Sequence, residues 1–447
     1  MRYKQEYKTL VGLGLPVMAT QMGVILVSFA DTAMVGAYGV DQLAAAAFVN
    51  SIFLISTVMQ IGFASGITPI VGALFGRKDE AGVGKALRAG LQTNGMLSLA
   101  LTAVMASLYF FLDRFGQPEE LLPLIREYYL IILFSLVPMA IFNCSQQTAN
   151  AMTDTASPMW IILSCNVLNI AGNYALIFGH WGCPEMGLNG AGLSTLTARW
   201  MSVAGIMLVF RFNRRYRPYV RSALGSSRVG HIRREIWSVS WPMMVQAGCE
   251  TALWTLGAVV SGWFGKIQLA AYQVINTISQ LGYMIFVSFG VAVSIRVANC
   301  TGTRDFTGVE RTTKAGVHII LLLATIASCV FYFLGPHLVR FFTPDLDVIA
   351  SAQMLLLPLV LYQYGDATQL TFANGVRGMG EARPFIWVTI AYLLIGVPAL
   401  FTLAMGLGLG NVGVYYSFSF ALFSASVILY VAFRRTLARK KRENICN

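Results

Sequence analysis

The sequence predicts an all-α integral membrane protein of twelve transmembrane helices, arranged as two six-helix bundles related by a parallel internal repeat. Three observations predict it. Of 447 residues, 56% are hydrophobic and only 12% charged, with a mean hydropathy of +0.64, a balance no soluble globular domain carries. Apolar runs long enough to cross a ~30 Å hydrocarbon core as helices recur from end to end. A single ungapped register also relates the two halves of the chain.

The runs fall at roughly 10–36, 43–74, 86–112, 121–149, 157–179, 187–210, 236–262, 268–298, 315–339, 348–374, 384–407 and 412–433. They lack two-residue alternation and are too long for barrel strands, so they are helices. The first run, VGLGLPVMATQMGVILVSFADTAMVG, is longer than a signal-peptide core and has no small-residue cleavage site after a short apolar stretch. It is read as a retained span.

The net charge of +12 has a topological explanation. With an even number of spans, both termini and every second loop share one side, and that side holds 26 of the 32 Lys and Arg residues against four on the other, with Arg199 and Arg296 left inside spans. The bias puts both termini in the cytoplasm of a multi-pass plasma membrane, and short loops favour a prokaryotic inner membrane. The excess is not a nucleic-acid patch. The stretch RFNRRYRPYVRSALGSSRVGHIRRE is polar and basic, a linker over 211–235 between an N-terminal bundle, 1–210, and a C-terminal bundle with a basic tail, 236–447. The seven cysteines form no CxxC pair and the four histidines are scattered, so the cysteines are read as packing residues and no structural metal or cofactor is expected.

QLAAAAFVNSI begins at Gln42 and QLAAYQVINTI at Gln268, a displacement of 226 residues. The same displacement pairs Pro16 with Pro242, Asp79 with Asp305, Arg114 with Arg340, Pro158 with Pro384 and Gly187 with Gly413. Six spans per unit is an even number, so both halves enter the membrane in one orientation, and in transporters built this way the substrate path lies between the halves.

Three acids sit well inside spans: Asp31 in the first, Glu250 in the seventh and Asp366 in the tenth. A mid-membrane charge costs at least ~2.5–3.5 kcal/mol, so each should face a protein interior or wet cavity and have a partner. No Lys or Arg lies in the same three stretches, which points to mobile counter-ions: a proton, a metal cation or a cationic substrate. The 226-residue displacement places Gly257 where Asp31 would recur, so the scaffold repeats but its acids do not. Tyr362 stands four residues before Asp366, on its face of the helix, where a phenol can donate to the carboxylate or share a cation with it. Asn166, Asn169 and Asn173 form one polar stripe, and Gln273, Asn276 and Gln280 another. These amides serve either as interhelical hydrogen-bond glue or as oxygen ligands for a hard cation such as sodium, with Asp31 supplying the charge for Asn169 and Asn173. Pro16, Pro242, Pro138 and Pro358 interrupt spans and mark candidate hinges.

These residues carry a resemblance. LPVMATQMGVILVSFADTAMVGAYG followed by QLAAAAF, the repeated QLAA, MGLNGAGLSTLTARW, and the GCE and GD of spans seven and ten resemble, as a set and over essentially the whole chain, the NorM-like branch of the multidrug and toxic compound extrusion (MATE) family. The resemblance implies a V-shaped pair of bundles and a monomeric secondary antiporter, one that exports small cationic amphipathic compounds across the lipid bilayer in exchange for inward sodium or protons. It further implies a cation or proton site of Asp31, Asn169, Asn173 and Thr195 in the N-terminal bundle, and another of Glu250, Tyr362 and Asp366 in the C-terminal one. Some members have an aspartate where Asn173 stands, so a mechanism built on a carboxylate pair does not transfer directly. Trp254, Tyr283 and Phe286, with Gln273 and Asn276, are candidates to line a substrate path by stacking and cation–π contact.

Competing readings predict other residues. A lipid-linked precursor flippase of a related superfold would need a large cationic cavity, whereas the basic residues here lie almost wholly in loops. An intramembrane prenyl transferase or metalloprotease would need DDxxD or HExxH, and neither occurs, so no enzymatic activity is expected. A non-transport receptor would carry no ion-dependent efflux.

Overall fold

The computed structural model describes residues 2–225 and 229–446. Among the described residues every regular element is helical. The first half contains α1 (Arg2–Tyr38), α2 (Val40–Ser65), α3 (Ile67–Gly76), α4 (Glu80–Tyr109), α5 (Leu122–Phe134), α6 (Leu136–Ala151), α7 (Ala156–Phe178) and α8 (Leu188–Phe212), followed by a short α9 (Arg217–Leu224). The second contains α10 (Gly230–Trp263), α11 (Lys266–Gly302), α12 (Phe306–Phe342), α13 (Leu346–Met354), α14 (Leu356–Gly378), α15 (Arg383–Ala391), α16 (Val397–Phe401) and α17 (Gly410–Cys446). Among the described residues eleven helical stretches are long and apolar enough to cross a membrane, and α13 with α14, bent by 46°, makes a twelfth when the pair is taken as one span. Several helices outrun their apolar segments at the cation-rich end, because a backbone already hydrogen-bonded in a helix continues into water on polar residues.

Prolines set where spans break. The α2/α3 break is at Gly66, the α5/α6 break at Ser135 and the α13/α14 break at Leu355, each three residues before Pro69, Pro138 or Pro358. Proline cannot donate to the carbonyl four residues back and its ring crowds that turn, so the helix opens there. Pro16 and Pro242 behave differently, since α1 and α10 run through them unbroken. Around Pro398, α16 is flanked by two π-helical turns, 392–396 and 402–406, the wide-turn adjustment that re-pairs a ladder missing a donor.

The repeat is visible in local geometry. Lys78 and Arg304 both take left-handed backbone conformations, with φ of 61° and 57°. The next residues, Asp79 and Asp305, cap α4 and α12 by accepting from Gly82 N and Gly308 N, each at 2.8 Å.

Contacts divide the chain into two compact units, Ala19–Met244 and Met1–Met18 with Val245–Asn447. Both divisions fall inside helices, two residues after Pro16 and Pro242. In the first unit the core gathers Val49, Phe53, Tyr129, Leu133 and Leu188, with the Tyr129 hydroxyl donating to Met105 O at 2.7 Å. In the second, Phe286, Phe289, Ile320, Ala324 and Ala367 form a core cluster. The start of α1 is fastened to that unit by buried Glu6, which accepts from Arg296 Nε and Nη2, both at 3.1 Å, and from Thr312 Oγ1 at 3.0 Å. Arg296, left inside a span by its sequence position, thus has a carboxylate partner.

The basic segment expected as a linker over 211–235 is more ordered than its composition implies. Helix α9 docks on α4: Ser222 Oγ donates to Ala81 O at 3.0 Å and Arg88 Nη1 to Gly225 O at 2.5 Å. Residues 226–228 of that segment lie outside the described residues. Among the cysteines, Cys144, Cys165 and Cys300 are buried and Cys183 and Cys249 half-buried, as packing residues should be, but Cys329 is exposed. The side chain of Cys446 lies outside the described residues.

Candidate functional site

In the unit 19–244, α1, α7 and α8 bring Asp31, Asn169, Asn173 and Thr195 together. Asn173, fully buried on α7, donates through Nδ2 to Asp31 Oδ1. Asn169, one turn earlier, presents Nδ2 to Asp31 Oδ1 at 3.1 Å when its amide is oriented to satisfy its neighbours, with Oδ1 then accepting from Ser194 Oγ at 3.3 Å and Thr195 N at 3.2 Å. The closeness of α7 and α8 depends on Gly172, where a Cβ would meet Ser194 Oγ at 2.5 Å. Asn166, the first member of the stripe, leaves its Nδ2 without a hydrogen-bond partner.

The expectation that no fixed cation serves Asp31 is corrected. Arg199, four residues after Thr195 on α8, lies within electrostatic reach of Asp31 and Tyr128, and donates to Ser135 Oγ at 2.6 Å. Spacing within one helix could not reveal it, because the contact is made between helices.

In the other unit, Glu250 on α10 and Asp366 on α14 lie within electrostatic reach of each other, and Tyr283, Tyr362 and Tyr392 share the neighbourhood. Gln246, one turn before Glu250, donates to its Oε2 at 2.5 Å. Asp366 is 1% exposed, yet neither carboxylate oxygen has a hydrogen-bond partner. Tyr362 shares its face and is buried, but of its two expected roles the hydrogen bond to Asp366 is not made. Its ring instead meets Trp254 edge-on at 5.1 Å. Gln363, fully buried, also leaves both polar atoms unpartnered. It is seated against Gly282 of α11, where a Cβ would come within 2.7 Å of Gln363 Oε1.

Arg377, counted by sequence as a loop cation, is the second correction. It is half-buried within α14, donates to Asn374 Oδ1 at 3.1 Å, and lies within electrostatic reach of Glu250 and Tyr283. Gln246 and Gln363 were within sequence range, one helical turn from an acid, whereas Arg199, Tyr392 and Arg377 reach the clusters through the fold.

The other candidates separate by exposure. Trp254 and Tyr283 are half-buried, Asn276 is half-buried and Gln273 exposed. Phe286 is fully enclosed in the core with Phe289 and Ile320, so it packs rather than lines an open path. Among the described residues no three His, Cys, Asp or Glu side chains gather into a metal-holding group. Amide, phenol and carboxylate oxygens are the donors these clusters offer, a hard-cation set.

Comparison with known proteins follows the same outline. A probable multidrug resistance protein NorM of Rhizobium meliloti (strain 1021) is 28% identical, over 97% of this chain and 94% of its own length. One of Bradyrhizobium diazoefficiens is 27% identical over the same shares. The crystal structure of the eukaryotic MATE transporter AtDTX14 matches with a TM-score of 0.87 at 17% identity, over 99% of each chain. The outward-facing conformation of a multidrug resistance MATE family transporter of the MOP superfamily matches with a TM-score of 0.88 at 19% identity, over 98% of this chain and 97% of that one. The MatE family model matches twice, over residues 16–175 and 242–402, and the two matches begin 226 residues apart, the displacement of the internal repeat. With most of its length and both of its halves matched, the chain belongs to the MatE family.

Proposed function

We propose that this protein is a secondary antiporter that exports cationic amphipathic compounds, drugs or toxins, in exchange for inward sodium ions or protons, by alternating access between its two bundles. The observation that carries the reading is Asp366, a buried carboxylate with no hydrogen-bond partner, beside Glu250. An acid so placed needs a proton or a cation to offset its desolvation, and nothing fixed satisfies it. Asp31, with Asn169, Asn173 and Thr195, offers a second site of different character, already bonded by amides and within reach of Arg199. The multidrug resistance names of the NorM relatives support export of such compounds.

In the exchange, a proton or sodium ion arriving from outside occupies the acids, weakens their hold on a cationic substrate and lets it leave. The loaded protein then opens inward, loses the ion and regains affinity for substrate. Each monovalent cation moving down ~100 mV supplies ~2.3 kcal/mol, which a monovalent cationic substrate leaving against the same potential consumes, so a one-for-one exchange is driven by the chemical gradient of the ion. Trp254 and Tyr283, with Gln273 and Asn276, supply aromatic and polar contacts for a flat cation.

The test is dye efflux in proteoliposomes under an imposed sodium gradient and, separately, an imposed proton gradient. One of the two gradients drives efflux, and empty liposomes give none. Asp31→Asn, Glu250→Gln and Asp366→Asn each lower the driven rate roughly tenfold or more while the protein still inserts. Full efflux in all three variants sinks the carboxylate mechanism.

A further inference from the structure

The unit that contains α12, α14 and α17 has a groove of about 180 Å³ between those helices. One end is cationic: Lys314 and Arg434 both line it and lie within electrostatic reach of each other. Glu310, also in the lining, binds Lys314 at 3.0 Å and Lys441 at 2.7 Å. One carboxylate is therefore shared by two ammonium groups, and Arg434 has no ion pair among the described residues, so the groove keeps a net positive charge. His318 adds a polar group whose Nδ1 meets the Tyr7 hydroxyl at 2.7 Å. The other end is aromatic, with Phe372 against Tyr430 at 5.2 Å and Phe433 at 6.2 Å.

Two exposed apolar stripes lead away from the groove. On α12, Leu322, Ile326 and Val330 follow Lys314 and His318 at four-residue steps, in a row that winds ~40° around the helix per step, and are 62%, 52% and 38% exposed. On α17, Val427, Phe423 and Phe420 continue the face of Arg434 and Tyr430, 62%, 41% and 60% exposed. From His318 to Val330 the helix rises ~18 Å, about the depth of one leaflet of a ~30 Å hydrocarbon core. The groove also lies at the end of the spans where most Lys and Arg residues are found, so it stands at head-group level.

We propose that this groove seats an anionic phospholipid. Lys314 and Arg434 bind its phosphate, the aromatic end covers the glycerol region, and the acyl chains lie along the stripes of α12 and α17. Basic pockets between transmembrane helices are suited to such head groups. The two stripes favour a lipid over a free phosphate ion, which would have no use for them. This assignment is independent of what the protein transports.

The test is thermal unfolding of the purified protein in neutral detergent, titrated with phosphatidylglycerol, phosphatidylcholine or inorganic phosphate. Phosphatidylglycerol raises the melting temperature saturably and the other two do not. Lys314→Gln with Arg434→Gln weakens the phosphatidylglycerol midpoint about tenfold, whereas Arg435→Gln, an exposed cation on the same helix outside the groove, leaves it in place. If the double variant is poorly folded without lipid, Arg434→Gln alone serves, because that side chain is exposed and unpaired. An equal shift with phosphatidylcholine, an equal shift with inorganic phosphate, or an equal loss in Arg435→Gln each overturns the proposal.

Discussion

Asp154 shows how a loop is fixed by one side chain. It lies between α6 and α7 and accepts from Ser157 N at 3.0 Å, Ser157 Oγ at 2.7 Å and the Tyr216 hydroxyl at 2.6 Å, and Arg215 donates to Thr153 Oγ1 at 3.0 Å alongside. Burial by itself would raise the Asp154 carboxyl, but the bonds from Tyr216 and Ser157, with the Arg215 charge, hold it below its ordinary value. Burial and the same carboxylate push the Tyr216 phenol up. Since the folded value is the lower one, Asp154 contributes stability at neutral pH that is lost as the pH falls below about 4. Tyr216→Phe removes one donor to a charged acceptor and should cost about 2 kcal/mol at pH 7. Melting temperatures of wild type and variant should differ most at pH 7 and converge as Asp154 is protonated; a gap unchanged down to pH 3 would show that the bond to the carboxylate is not the cause. The three intramembrane acids were legible in the sequence for the opposite reason, as charges in apolar runs whose cost demands a use. Their fixed neighbours were not legible, because Arg199 comes within electrostatic reach of Asp31, and Arg377 of Glu250, across helix interfaces that no spacing along one helix encodes.

At the scale of the element, hydropathy and repeats told where spans lie, and proline chemistry explains which of them break. The sequence could not tell that Pro16 and Pro242 are carried through unbroken helices while Pro358 accompanies a 46° bend, since the same residue is accommodated or not according to the packing around it. The repeat also conceals a contrast in the cores. Gln60 and Ser98, 2% and 0% exposed and without hydrogen-bond partners, stand where the second half has Phe286 and Ala324 of its apolar cluster. An unpaired buried amide already bears its desolvation cost, so an apolar replacement of similar size should be neutral or stabilising, whereas the reverse change imposes a cost of about 1–3 kcal/mol besides the lost packing. Gln60→Leu should therefore leave the melting temperature unchanged or raise it, and Phe286→Gln should lower it by several degrees. A comparable loss in both variants would mean that Gln60 is satisfied by water or an ion, and that the first half keeps a wet interior.

Over the whole molecule, the spans were readable from apolar runs and the two equivalent halves from one displacement of 226 residues, but the way the chain is shared between the compact units was not. A repeat finds equivalent segments and says nothing of which unit each segment joins. Residues 1–18 belong with 245–447, and the first turns of α10, up to Met244, belong with the segment that precedes them. The Glu6 contacts with Arg296 and Thr312 show how firmly the first of these exchanges is made: a buried carboxylate that loses a paired guanidinium and a hydroxyl donor is strongly destabilised. A cut between Gly225 and Val229 separates the sequence halves but leaves each compact unit short of a piece. The fragment from 229 onward lacks Glu6, so Arg296 is left without its partner, and the fragment ending at 225 lacks 230–244 of its own unit. Each fragment expressed alone should be degraded or fail to give a monodisperse species, while co-expression should restore a folded complex, measured by co-purification through a tag on one fragment. Adding residues 1–18 to the N-terminus of the second fragment, through a flexible linker, should raise its solitary yield. If both plain fragments are stable by themselves, the shared segments are not needed to complete the two units, and the halves fold as the repeat alone would divide them.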